Sequence, residues 1–481
     1  MKQLKDILTG ISPISVSGSM DAEIGQLQID SRKVKPGDVF IAVNGTNADG
    51  HQFIPKAIEN GASVIISEKV VETHASVVIL KDTAKATGLM AANYYGCPSE
   101  KLKVVGVTGT NGKTTIATVL YKLFTQLGYK AGLISTIKYY VGDEPFPATH
   151  TTPDALQIQE LMARMVENDC THCFMEVSSH AIDQDRIEGI RFSGAIFTNI
   201  THDHLDYHKT FAAYINAKKK FFDQLPEDAF SLTNADDKNG MVMLQNSGSR
   251  KKTYALKTMA DFKCKVLEKH LDGMLLLIND KEVWTHFSGV FNAYNLLAVY
   301  GAAIMLEEDQ DNVLQILSDM KPVDGRFEIF RSPDGKYAIV DYAHTPDALK
   351  NVLKGIGDIR TGKEQVITVV GAGGDRDKTK RPEMAQEAVL QSNRVILTSD
   401  NPRSEEPEQI IRDMEAGVEP HQKKNVLSIT DRKEAIRTAC MLAQTGDIIL
   451  IAGKGHEDYQ EIKGVKHHFD DREIVKEIFS I

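Results

Sequence analysis

Cysteine is scarce: five residues, at positions 97, 170, 173, 264 and 440 of 481. So few, so widely spaced, exclude a disulfide framework in a chain of this length, and they read as reduced thiols. Cys170-Thr171-His172-Cys173 has redox spacing, yet it leads straight into the apolar run Phe174 to Val177, and no second CxxC completes a zinc site. Buried structural thiols are expected there. Positive charge is not in excess either. The 66 acidic residues outnumber the 56 basic ones, for a formal charge of -10, which argues against a general binder of nucleic acid or anionic membrane. An anionic ligand must therefore be held by local donors. No run approaches the ~20 apolar residues of a membrane span, and the opening MKQLKDILTG lacks the apolar core of a signal peptide. The expected location is the cytoplasm, with no membrane and no nucleic-acid partner.

What is present suits globular cores: 42% hydrophobic and 25% charged residues, with a length that suggests about three domains. Residues 1–98 carry short β-rich runs at Asp38 to Val43, Ala62 to Ser67 and Ser76 to Leu80, with a helical stretch at His51 to Asn60. A small α/β domain is expected. The pattern breaks at Tyr95-Gly96-Cys97-Pro98-Ser99, and over 99–324 a strand at Lys103 to Thr108 opens a Gly-rich turn and the helical run Lys113 to Leu127. Strands at 131–135, 172–177 and 194–198 then alternate with helices, which predicts a mostly parallel sheet covered on both faces. A third, Rossmann-like α/β series over 325–481 has strands expected at Tyr337 to Tyr342, Gln365 to Gly371, Arg394 to Ser399 and Asp447 to Ala452. Helices are expected at Glu383 to Gln391 and Arg432 to Ala443.

The sharpest local signal is Gly106-Val107-Thr108-Gly109-Thr110-Asn111-Gly112-Lys113-Thr114-Thr115. Between a strand and a helix, its backbone N–H groups and the helix dipole can cradle phosphate. The strict phosphate-loop spacing wants glycine where Val107 stands, so the loop is a variant. Lys113 would neutralise the β- and γ-phosphates, and the Thr114 hydroxyl would ligand magnesium. Two further Gly-rich loops, Gly371 to Arg376 and Gly453-Lys454-Gly455-His456-Glu457, follow expected strands, where ligands gather in open sheets. Neither has full dinucleotide-binding spacing.

Glu176-Val177-Ser178-Ser179-His180 follows one apolar strand and NITHDHLDYH, Asn199 to His208, follows the next. Both can face the phosphate loop from one sheet edge, which makes Glu176 and His204 natural partners for a metal bridging nucleotide phosphates. His202-x-His204-x-Asp206 also suggests a zinc hydrolase. The spacing fails that reading, because Tyr207 separates Asp206 from His208.

TGTNGKTT, EVSSH, DHLDYH, the run Gly289-Val290-Phe291-Asn292-Ala293-Tyr294-Asn295, Gly325-Arg326-Phe327-Glu328 and Asp341-Tyr342-Ala343-His344-Thr345-Pro346 occur in an order that resembles the Mur ligase family, ATP-dependent amide-bond synthetases of cell-wall precursor assembly. The resemblance spans the chain. Asp30-Ser31-Arg32 and the C-terminal motifs are similar to the branch that adds the third amino acid to UDP-N-acetylmuramoyl-L-alanyl-D-glutamate.

That resemblance implies a set of roles. ATP would be held by Gly109, Thr110, Asn111, Gly112, Lys113, Thr114 and Thr115, with adenine and ribose contacts from Asn295, Arg326 and Asp341. The UDP-muramoyl-dipeptide would meet Ser31, Thr46, Asn47 and Ala48 at its UDP end, and Thr151, Thr152, Ser178, Gln184 and Arg186 near the peptide. Lys218 matches the lysine that the family carbamylates, which would ligand a second magnesium beside Thr114, Glu176 and His204. Lys113, Lys218, His204 and Glu176 form the expected catalytic set. Asp400-Asn401-Pro402-Arg403 accompanies meso-diaminopimelate in the family, since a guanidinium grips the distal carboxylate that lysine lacks. Arg376, Gly453 and Glu457 match the same pocket. The implied enzyme is a monomeric ligase using two magnesium ions and an acyl-phosphate intermediate. Alternatives are the same ligase using L-lysine, a folylpolyglutamate synthetase-like ligase, and a phosphate-loop switch protein without ligase chemistry.

Overall fold

The computed structural model describes residues 2–45, 48–201, 203 and 205–481. Thr46, Asn47, His202 and His204 lie outside the described residues.

Lys103–Thr108 reads KVVGVT and is buried from its second residue on. Such a continuous apolar strand needs cover on both faces, and the chain supplies it. The strand sits inside an eleven-stranded sheet that runs, edge to edge, Glu144–Pro147, Lys138–Val141, Ala131–Ile134, His172–Glu176, Lys103–Thr108, Gly194–Phe197, Phe230–Asn234, Arg250–Ala255, Phe262–His270, Gly273–Ile278 and Lys281–Thr285. The strands from Ala131–Ile134 across to Phe262–His270 pair in parallel. Antiparallel hairpins close both edges. The helices Lys113–Gln126 and Val290–Met305 pack on one face, against Phe174, Ile196 and Leu232. Ala155–Glu167 and Phe211–Asp223 cover the other, where Met162, Tyr214 and Phe221 are buried. The chain leaves Lys103–Thr108 to one side and later crosses to the other at Gly194–Phe197, and this reversal opens a crevice at the strands' carboxyl ends.

Two smaller sheets flank this one. The N-terminal sheet has five strands, ordered Ser15–Ser17, Ser76–Ile79, Val64–Ser67, Val39–Ile41 and Leu27–Gln28, parallel except for the first. The C-terminal sheet has six, ordered Glu328–Arg331, Tyr337–Asp341, Ile448–Ala452, Val366–Ala372, Arg394–Ser399 and Val426–Ser428, again parallel except for the first. Three α/β layers of this kind match the expected class. The five cysteines are free thiols, four of them buried.

Two features depart from the sequence reading. The stretch expected as one helix over His51 to Asn60 is a 3-10 turn, Gly50–Phe53, followed by a short helix, Ile54–Glu59, with proline at its start. The hairpin at 138–147 and the strands between 250 and 285 had no sequence assignment. Arg250-Lys251-Lys252 leave the start of one strand in water on both faces, Lys263 and Lys265 leave one face of the next in water, and such lysine-rich stretches blur the apolar pattern that would reveal them.

Beneath the C-terminal sheet, Arg432 and Asp471 form a fully buried bidentate pair, with N–O distances of 2.8 and 2.7 Å. Arg432 also donates to the carbonyl of Ala452 at the end of a central strand. Removing one partner strands the other charge in the core at a cost of roughly 3–5 kcal/mol. Asp471→Ala should therefore lower the urea midpoint of the transition reporting this domain, whereas Lys5→Met, which breaks an exposed pair with Asp21, should not. Equal midpoints for the two variants would contradict the assignment of the buried pair as a structural tie.

Candidate active site

Gly109 and Gly112 make the phosphate loop possible. Both have positive φ, 149° and 88°, and a Cβ on Gly109 would collide with the Thr198 hydroxyl. The close approach lets neighbouring strands brace the loop. Thr198 Oγ1 donates to the Asn111 carbonyl at 2.6 Å, the Asn111 N–H donates to Asn199 Oδ1 at 3.0 Å, and the Thr110 N–H donates to the Asn199 carbonyl at 2.8 Å. Thr114 and Thr115 open the helix and are buried.

Lys113 folds back so that its Nζ donates to the carbonyls of Gly109, at 3.0 Å, and Thr110, at 2.8 Å. Lys218, on the helix Phe211–Asp223, donates to the same Gly109 carbonyl at 3.0 Å and lies over the Tyr214 ring. A solvated basic face does not describe Lys218, which is 1% exposed. Burial, then the neighbouring Lys113 charge, hold its pKa well below the ordinary lysine range, with Asp203 opposing. Burial lowers the Lys113 pKa as well, with Glu176 and Asp203 opposing and Arg326 adding to it.

Glu176 ends its strand beside the loop. Its Oε1 accepts the Thr136 N–H at 2.8 Å, and its Oε2 is buried with no hydrogen-bond partner among the described residues. Thr152 Oγ1 donates to the Glu176 carbonyl, at 2.8 Å, and accepts the Ser178 N–H, at 3.0 Å. Thr151 accepts from Thr136. Arg186 grips Gln184 through two nitrogens and donates to the Thr152 carbonyl, so Thr152, Ser178, Gln184 and Arg186 form one connected set. Glu176 and Thr114 line the same cavity, and a carboxylate with a hydroxyl is the kind of oxygen donor set that suits a hard cation such as magnesium. Among the described residues no cluster of three His, Cys, Asp or Glu could hold a metal, and His204 lies outside them.

The C-terminal sheet points its strand ends at the same place. Arg326 donates to Thr114 Oγ1 at 3.0 Å and stacks on Tyr342. Asp341 accepts the Phe327 N–H at 2.7 Å, and Asn295 donates to Asn292. Arg403, at φ 51°, donates to the Gly374 carbonyl at 2.7 Å, tying the two loops Gly371 to Arg376 and Asp400 to Arg403. One cavity of about 920 Å3 connects these groups. It is lined from Lys113 and Glu176 past Asn295, Arg326 and Asp341 to Arg376, Asp400, Asn401, Arg403, Gly453 and Glu457. Lys218 lies beneath the loop rather than on this wall, and Pro402 backs Arg403. Ser31, the buried first residue of a 3-10 turn capped by Asp30, and exposed Ala48 lie in loops beside the N-terminal sheet and do not line the cavity.

Comparison with known proteins agrees with the motif order. Residues 107–303 match the Mur ligase middle domain, 325–455 the glutamate ligase domain, and 23–95 the Mur ligase family catalytic domain. The UDP-N-acetylmuramoyl-L-alanyl-D-glutamate--2,6-diaminopimelate ligase of Bacteroides fragilis is 58% identical, over 100% of this chain and 99% of that protein. The chain belongs to the Mur ligase family. The protein of the same name from Clostridium botulinum is 41% identical over 95% of each chain. A solved structure of a ligase of that name aligns with a TM-score of 0.71 at 33% identity, covering 100% of this chain and 99% of the other.

Four contacts of this Mur ligase escaped the sequence reading. Asp347 Oδ2 accepts from Asn111 Nδ2, at 2.9 Å, and from Thr201 Oγ1, at 2.8 Å. Lys380 pairs with Asp203 at 2.9 Å, and Tyr214 meets Thr110 Oγ1 at 3.1 Å. Asp347 follows the DYAHTP motif by one residue and Asp203 is the first residue of DHLDYH, so the motifs mark the neighbourhood, but only partners far away in sequence reveal these pairings.

Burial pushes the Asp341 carboxyl up to about 6, with Arg326 and the Phe327 and Ala343 N–H groups opposing. The carboxyl is therefore neutral below that pH and charged above it, and its attraction to Arg326 is present only on the alkaline side. Infrared difference spectra of wild type against Asp341→Asn should show a carboxyl band titrating near pH 6. A band that titrates at the ordinary Asp value would contradict this environment.

Proposed function

We propose that this ligase joins the amine of meso-diaminopimelate to the γ-carboxylate of the D-glutamyl residue in UDP-N-acetylmuramoyl-L-alanyl-D-glutamate, at the expense of ATP, in peptidoglycan precursor synthesis. The observation that carries the reading is the single cavity running from the phosphate loop to Arg403 and Glu457, in a chain 58% identical over its full length to a ligase of that name. Residues 1–98 are read as the UDP-substrate domain, 99–324 as the ATP domain and 325–481 as the amino-acid domain, in a monomeric cytoplasmic enzyme. No helix among the described residues is long and apolar enough to cross a membrane.

Amide formation from a carboxylate is uphill in water, so the acid is activated first. Its oxygen attacks the ATP γ-phosphorus, ADP leaves, and an acyl phosphate forms. The amine then attacks the acyl carbon, and inorganic phosphate leaves as the nitrogen sheds a proton. Lys113 would swing from its loop carbonyls onto the phosphates and offset the charge that gathers between two anions. Thr151, Thr152, Ser178, Gln184 and Arg186 would align the peptide acid. Ser31, Thr46, Asn47 and Ala48 would hold the uridine end. Asn295, Arg326 and Asp341 would hold adenosine across the seam between domains, where closure excludes water from the acyl phosphate.

Two magnesium ions would be held by Thr114, Glu176, His204 and Lys218 after its carbamylation, and would neutralise phosphate charge when bound. A lysine with a depressed pKa carries the free amine that carbon dioxide requires. At the far end, Arg376 and Arg403 suit the distal carboxylate, Glu457 the distal ammonium, and Asp400, Asn401, Pro402 and Gly453 shape the pocket.

Mass analysis of the product formed with diaminopimelate and L-lysine in competition tests the reading, which expects the diaminopimelate adduct. A lysine adduct in excess would overturn the choice of amino acid. Lys113→Ala should lower kcat by about two orders of magnitude or more, the scale seen when one charge-stabilising donor is removed, with an unchanged unfolding midpoint; near-normal turnover would remove the phosphate-loop role. Lys218→Ala should regain part of its activity with added formate or acetate. Rescue by ammonium instead would assign Lys218 a cationic role.

A further inference from the structure

Lys454 is fully buried in the loop Gly453 to Glu457 and has no part in the roles above. Its Nζ lies 3.2 Å from Glu457 Oε2 and 3.2 Å from Asn401 Oδ1, with Asp400 Oδ1 at 3.7 Å. Asn401 Nδ2 donates to the same Glu457 oxygen at 2.8 Å, while Asn401 Oδ1 also accepts the Glu461 N–H at 2.9 Å. Asn401 is thus largely spent on internal struts. Among the described residues, Glu457 Oε2 receives two donors, whereas Oε1 has only the Tyr342 hydroxyl at 3.4 Å. Glu457, Asn401 and Asp400 line the cavity and Lys454 does not. The carboxylate is clamped from behind along one edge, which leaves the other edge for the cavity.

A buried ammonium without counter-charges would be strongly disfavoured, so Lys454 and the carboxylates of Glu457 and Asp400 require one another. The loop is fixed further by its neighbours, since Gly455 at φ 53° packs so closely on Gly325 and Tyr342 that any Cβ would clash. We infer that Lys454 is a positioning residue for amino-acid selectivity, holding Glu457 so that its free carboxylate edge meets the distal ammonium of the incoming diamino acid. This rests on the substrate reading given above, and 2-aminopimelate, which is diaminopimelate without the distal amine, separates the two ideas.

The test compares kcat/KM for diaminopimelate and 2-aminopimelate in wild type, Lys454→Met and Glu457→Gln. Wild type should favour diaminopimelate. Lys454→Met should shrink that preference by about tenfold or more, the scale of a charge-assisted hydrogen bond, by raising KM for diaminopimelate while KM for ATP stays within about threefold, a shift of under 1 kcal/mol. Glu457→Gln should shrink the preference similarly. A purely structural role would lower kcat for both amino acids alike and leave the preference intact, and that result overturns the inference. Should Lys454→Met not fold, Asn401→Ala withdraws the other strut from Glu457 and must erode the preference too; an unchanged preference there also overturns it. If wild type joins neither amino acid, the substrate reading fails on its own.

Discussion

One carbonyl oxygen, that of Gly109, receives two lysine side chains, Lys113 and Lys218, each at 3.0 Å. Two ammonium groups so close in a buried setting repel strongly, and the crowding is relieved if one of them moves or loses its proton. Both remedies serve the proposed chemistry. Lys113 sits at the cavity wall and, on the proposed reading, would have phosphates to move toward, while Lys218 sits below, out of reach of solvent, and is driven well toward the neutral amine. Glycine at 109 is what lets this carbonyl face inward, because any side chain there would strike Thr198.

The second organising feature is that two parallel sheets aim their carboxyl ends at one cavity. Each phosphate-side loop is touched from the C-terminal domain: Asn111 and Thr201 by Asp347, Thr114 by Arg326, and Asp203 by Lys380. In a protein of net charge -10, these local cations matter more than the overall field. On the proposed reading, Arg326 and Lys380 would bring positive charge to the nucleotide end, and Arg376 and Arg403 to the amino-acid end, from the side of the same C-terminal sheet. A closed seam would hold both substrates' anionic ends while leaving the reacting carboxylate between them.

Much of this was legible in the sequence, for reasons that differ by element. Lys103–Thr108 and its helix stood out because a buried parallel strand, two glycines at a turn and a helix start all signal themselves locally. The strands at 172–176, 194–197, 337–341, 394–399 and 448–452 were legible as apolar runs. The strands between 250 and 285 were not, because half-solvated lysine-rich strands look like charged coil. In the site, loops such as DNPR could be placed through their motifs, yet the burial of Lys218, in a run of three lysines, and of Lys454, in a Gly-rich loop, could not, since a lysine in either setting reads as wet surface until tertiary packing covers it. Asp347 and Lys380 were invisible for a different reason: their partners lie 146 to 236 residues away for Asp347 and 177 for Lys380.

The central claim is that phosphate from ATP passes to the peptide acid before the amino acid captures it. The direct test labels the D-glutamyl γ-carboxylate oxygens with a heavy isotope and weighs the inorganic phosphate released during a single turnover with ATP and diaminopimelate. Transfer through an acyl phosphate predicts one labelled oxygen in each phosphate. Phosphate that carries no label would contradict the account, because the acid would then never have been bonded to phosphorus.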